Sequence, residues 1–264
     1  MALDIGSAGG IYVGDAGLDN LTAFTWLTWI YTDDSGTGPQ AYAMKDDASG
    51  VGRKSLERIF GDVDDFALTV TRATTSAECR TTGVNKPINT WFFVAGVWLD
   101  ADGGPRIYTG DLNTLATEAS YSLRTNGSGT VGADSGDGLM IGARRSSAVI
   151  QESMFGKMGS FQVFDTNLSL NQIRAQQFNP HNTANCQLNM RMGLSGTTTQ
   201  VDHSGNGYNG TVTNCTVADA VPLGPIYGLD SDIAMPGGGS TPSSGEIQNS
   251  IFRGVAQGVM RGAR

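Results

Sequence analysis

The sequence predicts an all-β fold: a β-sandwich of two antiparallel sheets with one short helix and an extended C-terminal arm. Short apolar runs rich in β-branched and aromatic residues alternate with turns of glycine, aspartate and serine, and glycine supplies 37 of the 264 residues. Many short strands joined by such turns indicate a sandwich or a barrel. The exception is residues 155–178, where a strand and an Asp-Thr-Asn turn lead to a helix with capping-box spacing at Ser169 and Gln172.

The individual strands are predicted from their patterns in chain order. Residues 21–31 are apolar on both faces, with Trp26 on one and Trp29 on the other, as expected of a strand buried on both sides. Residues 66–72 alternate between apolar and polar side chains, which indicates a half-exposed strand. Residues 91–99 form the most apolar run in the chain. Further strands are predicted over residues 106–109 and 139–144, around Met190, and after the loop that begins at Asp202.

Two smaller predictions concern the aromatic residues and the N-terminus. All four tryptophans lie in apolar strands, so we expect them in the core. Tyr31, Tyr42 and Tyr208 are the aromatic residues predicted to make surface contacts, for example with a sugar. Residues 6–10, with the sequence Gly-Ser-Ala-Gly-Gly, are interpreted as a flexible entry to the domain.

Composition and charge exclude several classes of function. The formal net charge of −8 predicts an acidic surface, whereas a nucleic-acid-binding protein needs a basic one. No apolar run approaches the ~20 residues that span a bilayer, and the N-terminus lacks the basic start and apolar core of a signal peptide. We therefore expect synthesis in a cytosol, with neither nucleic acid nor a membrane as partner. The three cysteines fit reduced thiols there, and a Cys186–Cys215 bridge remains the open alternative.

The chain changes character after Pro222, which predicts a folded domain over residues 1–222, a linker over 223–245 and a docking segment over 246–264. The linker is rich in proline, glycine and serine and lacks periodicity. In the docking segment apolar residues recur at every fourth position and three arginines make this end basic. Such a segment becomes ordered when it binds a partner. The residues predicted to make that contact are Ile247, Ile251, Phe252, Arg253, Val255, Val259, Met260 and Arg261.

Four motifs follow one another along the predicted domain. They read W-F-F-V-A-G-V-W from residue 91, R-I-Y-T-G from residue 106, L-M-I-G-A-R from residue 139 and F-G-K-M-G-S-F-Q-V-F-D-T-N-L-S from residue 155. In this order they resemble the laminin-G-like, concanavalin A-like jelly roll. The segment D-H-S-G-N-G-Y-N-G that begins at Asp202 is similar to a further element of that family, although here it closes the domain rather than opening it. The resemblance implies a jelly-roll fold and no particular function, because the fold hosts many functions.

Calcium is the one metal for which the sequence offers ligands, and no other cofactor is predicted. The strand–helix unit of the family often carries an acidic pair that binds calcium, and this chain has Gly159 and Ser160 in its place. Three oxygen-rich turns remain as candidates because calcium takes carboxylate and carbonyl ligands, although such residues also dominate ordinary turns. The candidate ligands are Asp100, Asp102, Asp134, Asp137 and Asp202.

No catalytic motif is present, which predicts that the protein is not an enzyme. Glycosidases need two carboxylates that flank the scissile bond, and those of this fold resemble one another in an E-x-D-x-E-type strand that this chain lacks. The densest acidic cluster, Asp62, Asp64 and Asp65, precedes a strand and is interpreted as a solvated turn. His181 and His203 both lie in predicted loops, and neither G-x-S-x-G nor H-E-x-x-H occurs.

These observations favour a non-catalytic structural protein of a bacteriophage virion. It would be either a capsid decoration or a component of the tail or spike, and its C-terminal arm would anchor it to the particle. The phage assignment rests on resemblance to laminin-G-like domains of phage structural proteins and is an analogy. The expected partners are other virion proteins and further copies of this chain, with many copies on each particle. The alternative is a carbohydrate-binding, lectin-like module for glycans on a host surface, and a glycoside hydrolase is the third possibility considered.

Overall fold

The computed structural model describes residues 1–14, 18–33, 38–46, 52–58, 66–84, 88–146, 149–180, 185–195 and 197–222. Contacts separate the chain into two compact units, Met1–Leu223 and Gly224–Arg264, and all described residues belong to the first. The division of the chain into a domain, a linker and a docking segment stays a prediction. Outside the described residues lie His181, the acidic cluster of Asp62, Asp64 and Asp65, and all eight predicted docking residues: Ile247, Ile251, Phe252, Arg253, Val255, Val259, Met260 and Arg261.

Within the described ranges the chain forms seventeen strands and one helix. The strands up to the middle of the chain are β1 (Ala2–Val13), β2 (Ala23–Thr32), β3 (Gln40–Lys45), β4 (Lys54–Arg58), β5 (Phe66–Val70), β6 (Ala77–Thr81), β7 (Trp91–Leu99), β8 (Arg106–Asp111), β9 (Thr117–Glu118) and β10 (Tyr121–Thr125). The remaining elements are β11 (Leu139–Ile141), β12 (Arg144–Ser146), β13 (Val149–Gln151), β14 (Gly156–Phe164), α1 (Leu170–Phe178), β15 (Cys186–Arg191), β16 (Thr199–Gln200) and β17 (Gly210–Ala218).

Fifteen strands form one large antiparallel sheet in the order β10-β6-β5-β4-β3-β11-β1-β14-β2-β7-β8-β9, with β15 beside β14, β17 beside β1 and β16 beside β17. The sheet curls so that its two halves face each other. A Cβ added at Gly96 of β7 would lie 3.2 Å from Leu68 Cδ2 of β5, and the rings of Phe66 and Phe92 stack with centroids 5.8 Å apart. The predicted all-β, jelly-roll sandwich with one short helix is confirmed.

The main core lies between the two halves of the sheet and contains Trp26, Trp98 and Phe161. A second core on the opposite face of β2 and β7 contains Trp29 and Trp91 together with residues of α1. Because both faces of β2 are covered, its side chains are buried along nearly its whole length. The predictions of a doubly buried strand here and of four core tryptophans are therefore confirmed.

The predicted strand, turn and helix of residues 155–178 are present as β14 and α1. The Ser169 hydroxyl caps the helix, and the Gln172 side chain accepts the Ser169 N–H at 2.9 Å. Two contacts fix the helix on the sheet: the Trp29 indole donates to the Gln177 carbonyl at 2.8 Å, and the Gln177 side chain accepts from the Ala116 N–H at 2.8 Å. Across the described ranges no helix has the length and apolar character needed to cross a membrane.

The interpretation of residues 6–10 as a flexible entry is wrong. These residues belong to β1, which pairs with β11, β14 and β17 inside the sheet. The glycines are needed because neighbours approach too closely for side chains: a Cβ at Gly9 would lie 2.6 Å from the Asn214 carbonyl oxygen, and one at Gly10 would lie 2.4 Å from Met140 Cε. A glycine-rich stretch thus marks close packing in this strand.

Two further predictions differ from the structure. Tyr42 is completely buried rather than on the surface, because β3 lies inside the sheet between β4 and β11 and the ring packs on Phe66 at 5.6 Å. The strand predicted over residues 139–144 ends at Ile141, because Gly142 adopts a φ of +78° that interrupts the extended chain before β12.

All three cysteines are free and buried. Burial raises the pKa of the Cys79 and Cys186 thiols to about 12 and that of Cys215 to about 11. Cys186 Sγ contacts the Leu188 carbonyl oxygen at 2.9 Å, and Cys215 Sγ contacts the Thr213 carbonyl oxygen at 3.1 Å. The alternative of a Cys186–Cys215 bridge is therefore not realised.

Candidate functional site

A pocket of about 300 Å³ opens over β14 and β15, and we call it the Arg191 pocket. It lies on the face of β14 opposite the main core. Met158 and Phe161 point into the core, whereas Ser160 pairs with Trp29, whose side chain lies in the second core with α1. The residues that line the pocket are Met1, Gly159, Ser160, Pro180, Arg191, Leu194, Ala220 and Val221.

The floor of the pocket is formed at the bulge where β14 shifts register against β2, between Met158 and Ser160. A Cβ at Gly159 would lie 2.1 Å from Val221 Cγ2 and 3.5 Å from Trp91 Cζ3. Only glycine therefore lets Val221 pack directly on the strand, where it forms an apolar wall. Leu194 adds a second apolar surface at the rim and is 47% exposed.

Arg191 carries the only charged side chain among the described residues that line the pocket. Its Cα is the cross-strand partner of Ser160, and neither side chain makes a hydrogen bond or an ion pair with any described residue. The Arg191 Nε atom is buried without an acceptor, and a buried donor left without a partner costs about 1–3 kcal/mol. Burial lowers the pKa of Arg191, and no acidic group counteracts this shift.

Buried amides hold the wall of the pocket next to Arg191. Gln162 and Asn189 are cross-strand partners that follow Ser160 and Arg191 on the same face. Their side-chain amides both donate to the Pro180 carbonyl oxygen, each at 3.1 Å. Because the Pro180 carbonyl oxygen accepts two hydrogen bonds, the segment that follows α1 is fixed over the sheet. The pocket is therefore formed before any ligand binds.

His203 and Asp202 lie at the side of the pocket next to β15. The His203 N–H donates to the Asn189 carbonyl at 2.8 Å, and its Nε2 atom is buried without a partner. Burial lowers the pKa of His203, and Arg191 lowers it further while Asp202 opposes the shift. His203 is therefore neutral at pH 7 and adds no second positive charge.

Asp202, one of the predicted calcium ligands, organises the loop that begins at its own position. One carboxylate oxygen accepts the N–H groups of Asn189 at 2.9 Å and Ser204 at 2.8 Å. The other accepts the Ser204 hydroxyl at 2.7 Å and the Tyr208 N–H at 3.0 Å. With four donors on two oxygens, this carboxylate shapes the loop rather than facing an open site.

Asp134 and Asp137, two more predicted ligands, surround buried lysines. We call Lys45, Lys54, Asp19, Asp134 and Asp137 the lysine cluster. Lys45 Nζ donates to Asp19 Oδ1 at 2.5 Å, to the Asp134 carbonyl at 2.8 Å and to the Asp137 carbonyl at 2.5 Å. Lys54 donates to the Asp134 carboxylate. Oxygens of the kind that calcium prefers do converge here, and an ammonium group lies among them.

The last two predicted ligands, Asp100 and Asp102, form ion pairs with two different arginines. Arg72 binds the Asp100 carboxylate, and Arg106 binds the Asp102 carboxylate at 2.5 Å. The structure therefore distributes the five predicted ligands over three places. Among the described residues, no three side chains of His, Cys, Asp or Glu are grouped so that they could hold a metal ion.

Sequence reasoning missed Arg191, although one signal was present. The alternation N-M-R-M places Asn189 and Arg191 on the face opposite Met190, so an arginine on the outer face of this strand was readable. The sequence does not show that Ser160 lies opposite Arg191, because this depends on the register in which β14 and β15 pair. Of the remaining predicted surface tyrosines, Tyr31 packs edge-on against Trp91 and carries the Lys157 ammonium over its ring at 4.8 Å, while Tyr208 packs against the main core.

No family model and no curated protein sequence matches the chain. Among solved structures, a candidate carbohydrate-binding protein from Bacteroides ovatus superposes with a TM-score of 0.59 and 19% identity, over 83% of this chain and 59% of that protein. Domains LG4-5 of the mouse laminin α1 chain match with a TM-score of 0.46 and 13% identity, over 64% of this chain and 43% of theirs.

The enzymatically active domain of bacteriophage CBA120 tailspike protein 2 also matches, with a TM-score of 0.46 and 12% identity over 64% of this chain and 25% of that one. This chain spans 59% of the length of the Bacteroides ovatus protein. At such identities the likeness concerns the fold alone. The domain has the laminin-G-like, concanavalin A-like jelly-roll fold that the motifs of the sequence predict.

Proposed function

We propose that this domain is a non-catalytic glycan-binding module that holds a sugar unit in the Arg191 pocket. The observation that supports this proposal is a preformed pocket in which two unpaired groups face an apolar wall. These groups are the guanidinium of Arg191 and the hydroxyl of Ser160. A sugar ring offers the matching surfaces, hydroxyl groups along its edge and an apolar face of C–H groups. A pocket of about 300 Å³ is at the small end of ligand sites and suits a single ring.

Two further points support this proposal. The structure from Bacteroides ovatus with the TM-score of 0.59 is itself a candidate carbohydrate-binding protein, so the fold is compatible with the role. The described lining of the pocket contains no carboxylate, and glycoside hydrolysis needs a pair of them. Asp202, the acid described near the pocket, is held by four donors. Binding without turnover is the function that these groups support.

The virion role predicted from the sequence is a second proposal and is compatible with the first. The observation that favours it is the regular apolar spacing of residues 246–264 in the sequence, next to their three arginines. A glycan-binding domain on such an arm is suited to host attachment. Deleting residues 246–264 should leave a folded domain that fails to join the particle, and assembly of the truncated protein would refute the anchoring role.

The glycan proposal is tested with the full chain on an array of neutral and acidic glycans, followed by calorimetric titration of the glycans that bind. Ser160→Leu places a larger side chain on the floor of the pocket and should weaken binding by about tenfold or more. Thr211→Leu is the matched control, because Thr211 is exposed near the far end of β17. Failure of the native chain to bind any glycan would overturn the proposal, as would equal binding by the Ser160→Leu variant.

A further inference from the structure

We infer that the sugar bound in the Arg191 pocket carries a carboxylate, which Arg191 recognises. This inference rests on the proposed glycan-binding function and adds the chemical class of the ligand. Neutral hydroxyls would satisfy the shape of the pocket but would leave the charge of Arg191 uncompensated. Arg191 is half-buried, and its Nε atom is buried without an acceptor. No described acid or hydrogen-bond acceptor pairs with its side chain, so the guanidinium is available to a carboxylate on the ligand.

The charge of the pocket favours an anionic group on the ligand. Arg191 carries the one charged side chain among the described residues that line the pocket, which also include Met1 with its terminal amino group. The neighbouring His203 is neutral at pH 7, because burial and Arg191 lower its pKa. The formal net charge of the chain is −8, so this positive charge is a local feature of the pocket.

The geometry of the pair Arg191 and Ser160 favours a planar carboxylate. A guanidinium presents two parallel N–H donors that match the two oxygens of a carboxylate. Ser160 lies directly across the strand pair from Arg191, which places the Cβ atoms about 5 Å apart. Its hydroxyl can donate to one carboxylate oxygen, while Leu194 and Val221 face the ring of the same sugar.

The absence of an acid at position 160 is what keeps Arg191 available. An aspartate there would stand opposite Arg191 at cross-strand distance and would pair with it. The sequence has Gly159 and Ser160 at these two positions, so no acid stands across the strand pair from Arg191 to compete with an external carboxylate. The Ser160→Asp variant would introduce such a competitor without removing the arginine.

The inference is tested by calorimetry on the full chain with four matched ligands: methyl glucuronide, its methyl ester, methyl glucoside and glucose 6-sulfate. Methyl glucuronide should bind about tenfold or more tightly than the ester and the glucoside, because a charge-assisted pair is lost in both. Arg191→Gln and Ser160→Asp should each abolish this preference, so that methyl glucuronide binds no more tightly than methyl glucoside in either variant. Arg80→Gln, on an exposed arginine of β6, is the control and should keep the preference.

Each outcome bears on a different statement. Equal binding of acid, ester and glucoside, unaffected by Arg191→Gln, would overturn the carboxylate inference and leave the glycan-binding function standing. Tighter binding of the sulfate than of the uronic acid would overturn the inference and identify a sulfate ester as the recognised group. If acetate or a peptide with a free C-terminus, titrated in the same way, binds as tightly as the uronic acid, the sugar itself is not recognised. If no sugar binds, the proposed function itself fails. Because Ser160→Asp keeps Arg191, loss of the preference in that variant cannot be ascribed to a missing arginine side chain.

Discussion

Two groups of cationic side chains in this domain have opposite surroundings: Lys45 and Lys54 are buried and paired, whereas Arg191 is half-buried and unpaired. In the lysine cluster, Lys45 Nζ lies 2.5–2.8 Å from three oxygens, and Lys54 contacts the Asp134 carboxylate. In the Arg191 pocket, the guanidinium meets no acceptor among the described residues. The lysine cluster is electrostatically complete by itself, whereas the Arg191 pocket is not.

The difference shows that the partners of a buried cation are more informative than the cation. An ion inside a protein is costly unless opposite charges and hydrogen bonds surround it. Where the chain provides them, as at Lys45 and Lys54, the arrangement can be explained by the fold alone. At the half-buried Arg191 the described residues provide none, so its guanidinium remains available to an external partner. Removing charges from each group in turn, and measuring the stability of each variant, tests this difference.

The largest effect is expected from Asp134→Ala in the lysine cluster. This change leaves the buried Lys45 and Lys54 ammonium groups without their shared carboxylate, so it should lower the free energy of unfolding by about 3–5 kcal/mol. Urea denaturation followed by circular dichroism measures the loss. Asp165→Ala is the control: Asp165 is exposed, and its removal should change the free energy by no more than about 0.5 kcal/mol. A loss below about 1 kcal/mol for Asp134→Ala would show that the cluster is not held by its charges.

The corresponding change in the other group, Arg191→Met, should have a much smaller effect on stability. It removes a half-buried charge that has no partner among the described residues and keeps most of the side-chain volume, so we expect a change within about 1 kcal/mol of zero, with either sign. The same urea denaturation measures it. A loss of about 3 kcal/mol or more would mean that Arg191 has a structural partner, and the contrast with the lysine cluster would disappear.

Calcium should leave the stability of the domain nearly unchanged. The Lys45 ammonium lies among the oxygens near Asp134 and Asp137, and the other candidate carboxylates are bound to arginines or to N–H and O–H donors. A site with a dissociation constant near 1 mM would add about 1.4 kcal/mol at 10 mM calcium, and we expect less than a third of that. Thermal unfolding with calcium and with EDTA measures the difference. A clear stabilisation by calcium would restore these aspartates as ligands.

The smallest effect concerns His203 and acid pH. Its pKa in the folded protein is lowered below 6.5 by burial and by Arg191, while Asp202 opposes the shift. The unfolded chain therefore takes up a proton first as the pH falls, so the contribution of His203 to stability is complete above pH 6.5 and declines below it. Nuclear magnetic resonance titration of the imidazole measures the pKa directly. In Arg191→Met the pKa should rise toward 6.5, and an unchanged value would show that the two side chains do not interact.

Much of the fold could be predicted because it depends on local patterns. The capping box at Ser169 and the two apolar faces of β2 are legible in a few consecutive residues, and both are present. The prediction of a half-exposed β5 is wrong, because this strand lies between β4 and β6 with Ala67 buried and Thr69 half-buried. Residues 6–10 and Tyr42 were misjudged for one reason. Glycines permit either freedom or close approach, and a tyrosine fits either a surface or a core. The neighbouring strands, which are distant in sequence, decide between these alternatives.

The sequence by itself determined the strand pattern, the strand–helix unit and the presence of an arginine on the outer face of β15. Only the tertiary structure decided that this arginine stands opposite Ser160, while Lys45 and Lys54 meet Asp134. Side-chain alternation has a period of two and identifies the face on which a residue lies. It does not identify the residue across the strand pair, which depends on the register of two segments and on the curl of the sheet. Whether a buried charge is paired is therefore a property of the folded chain.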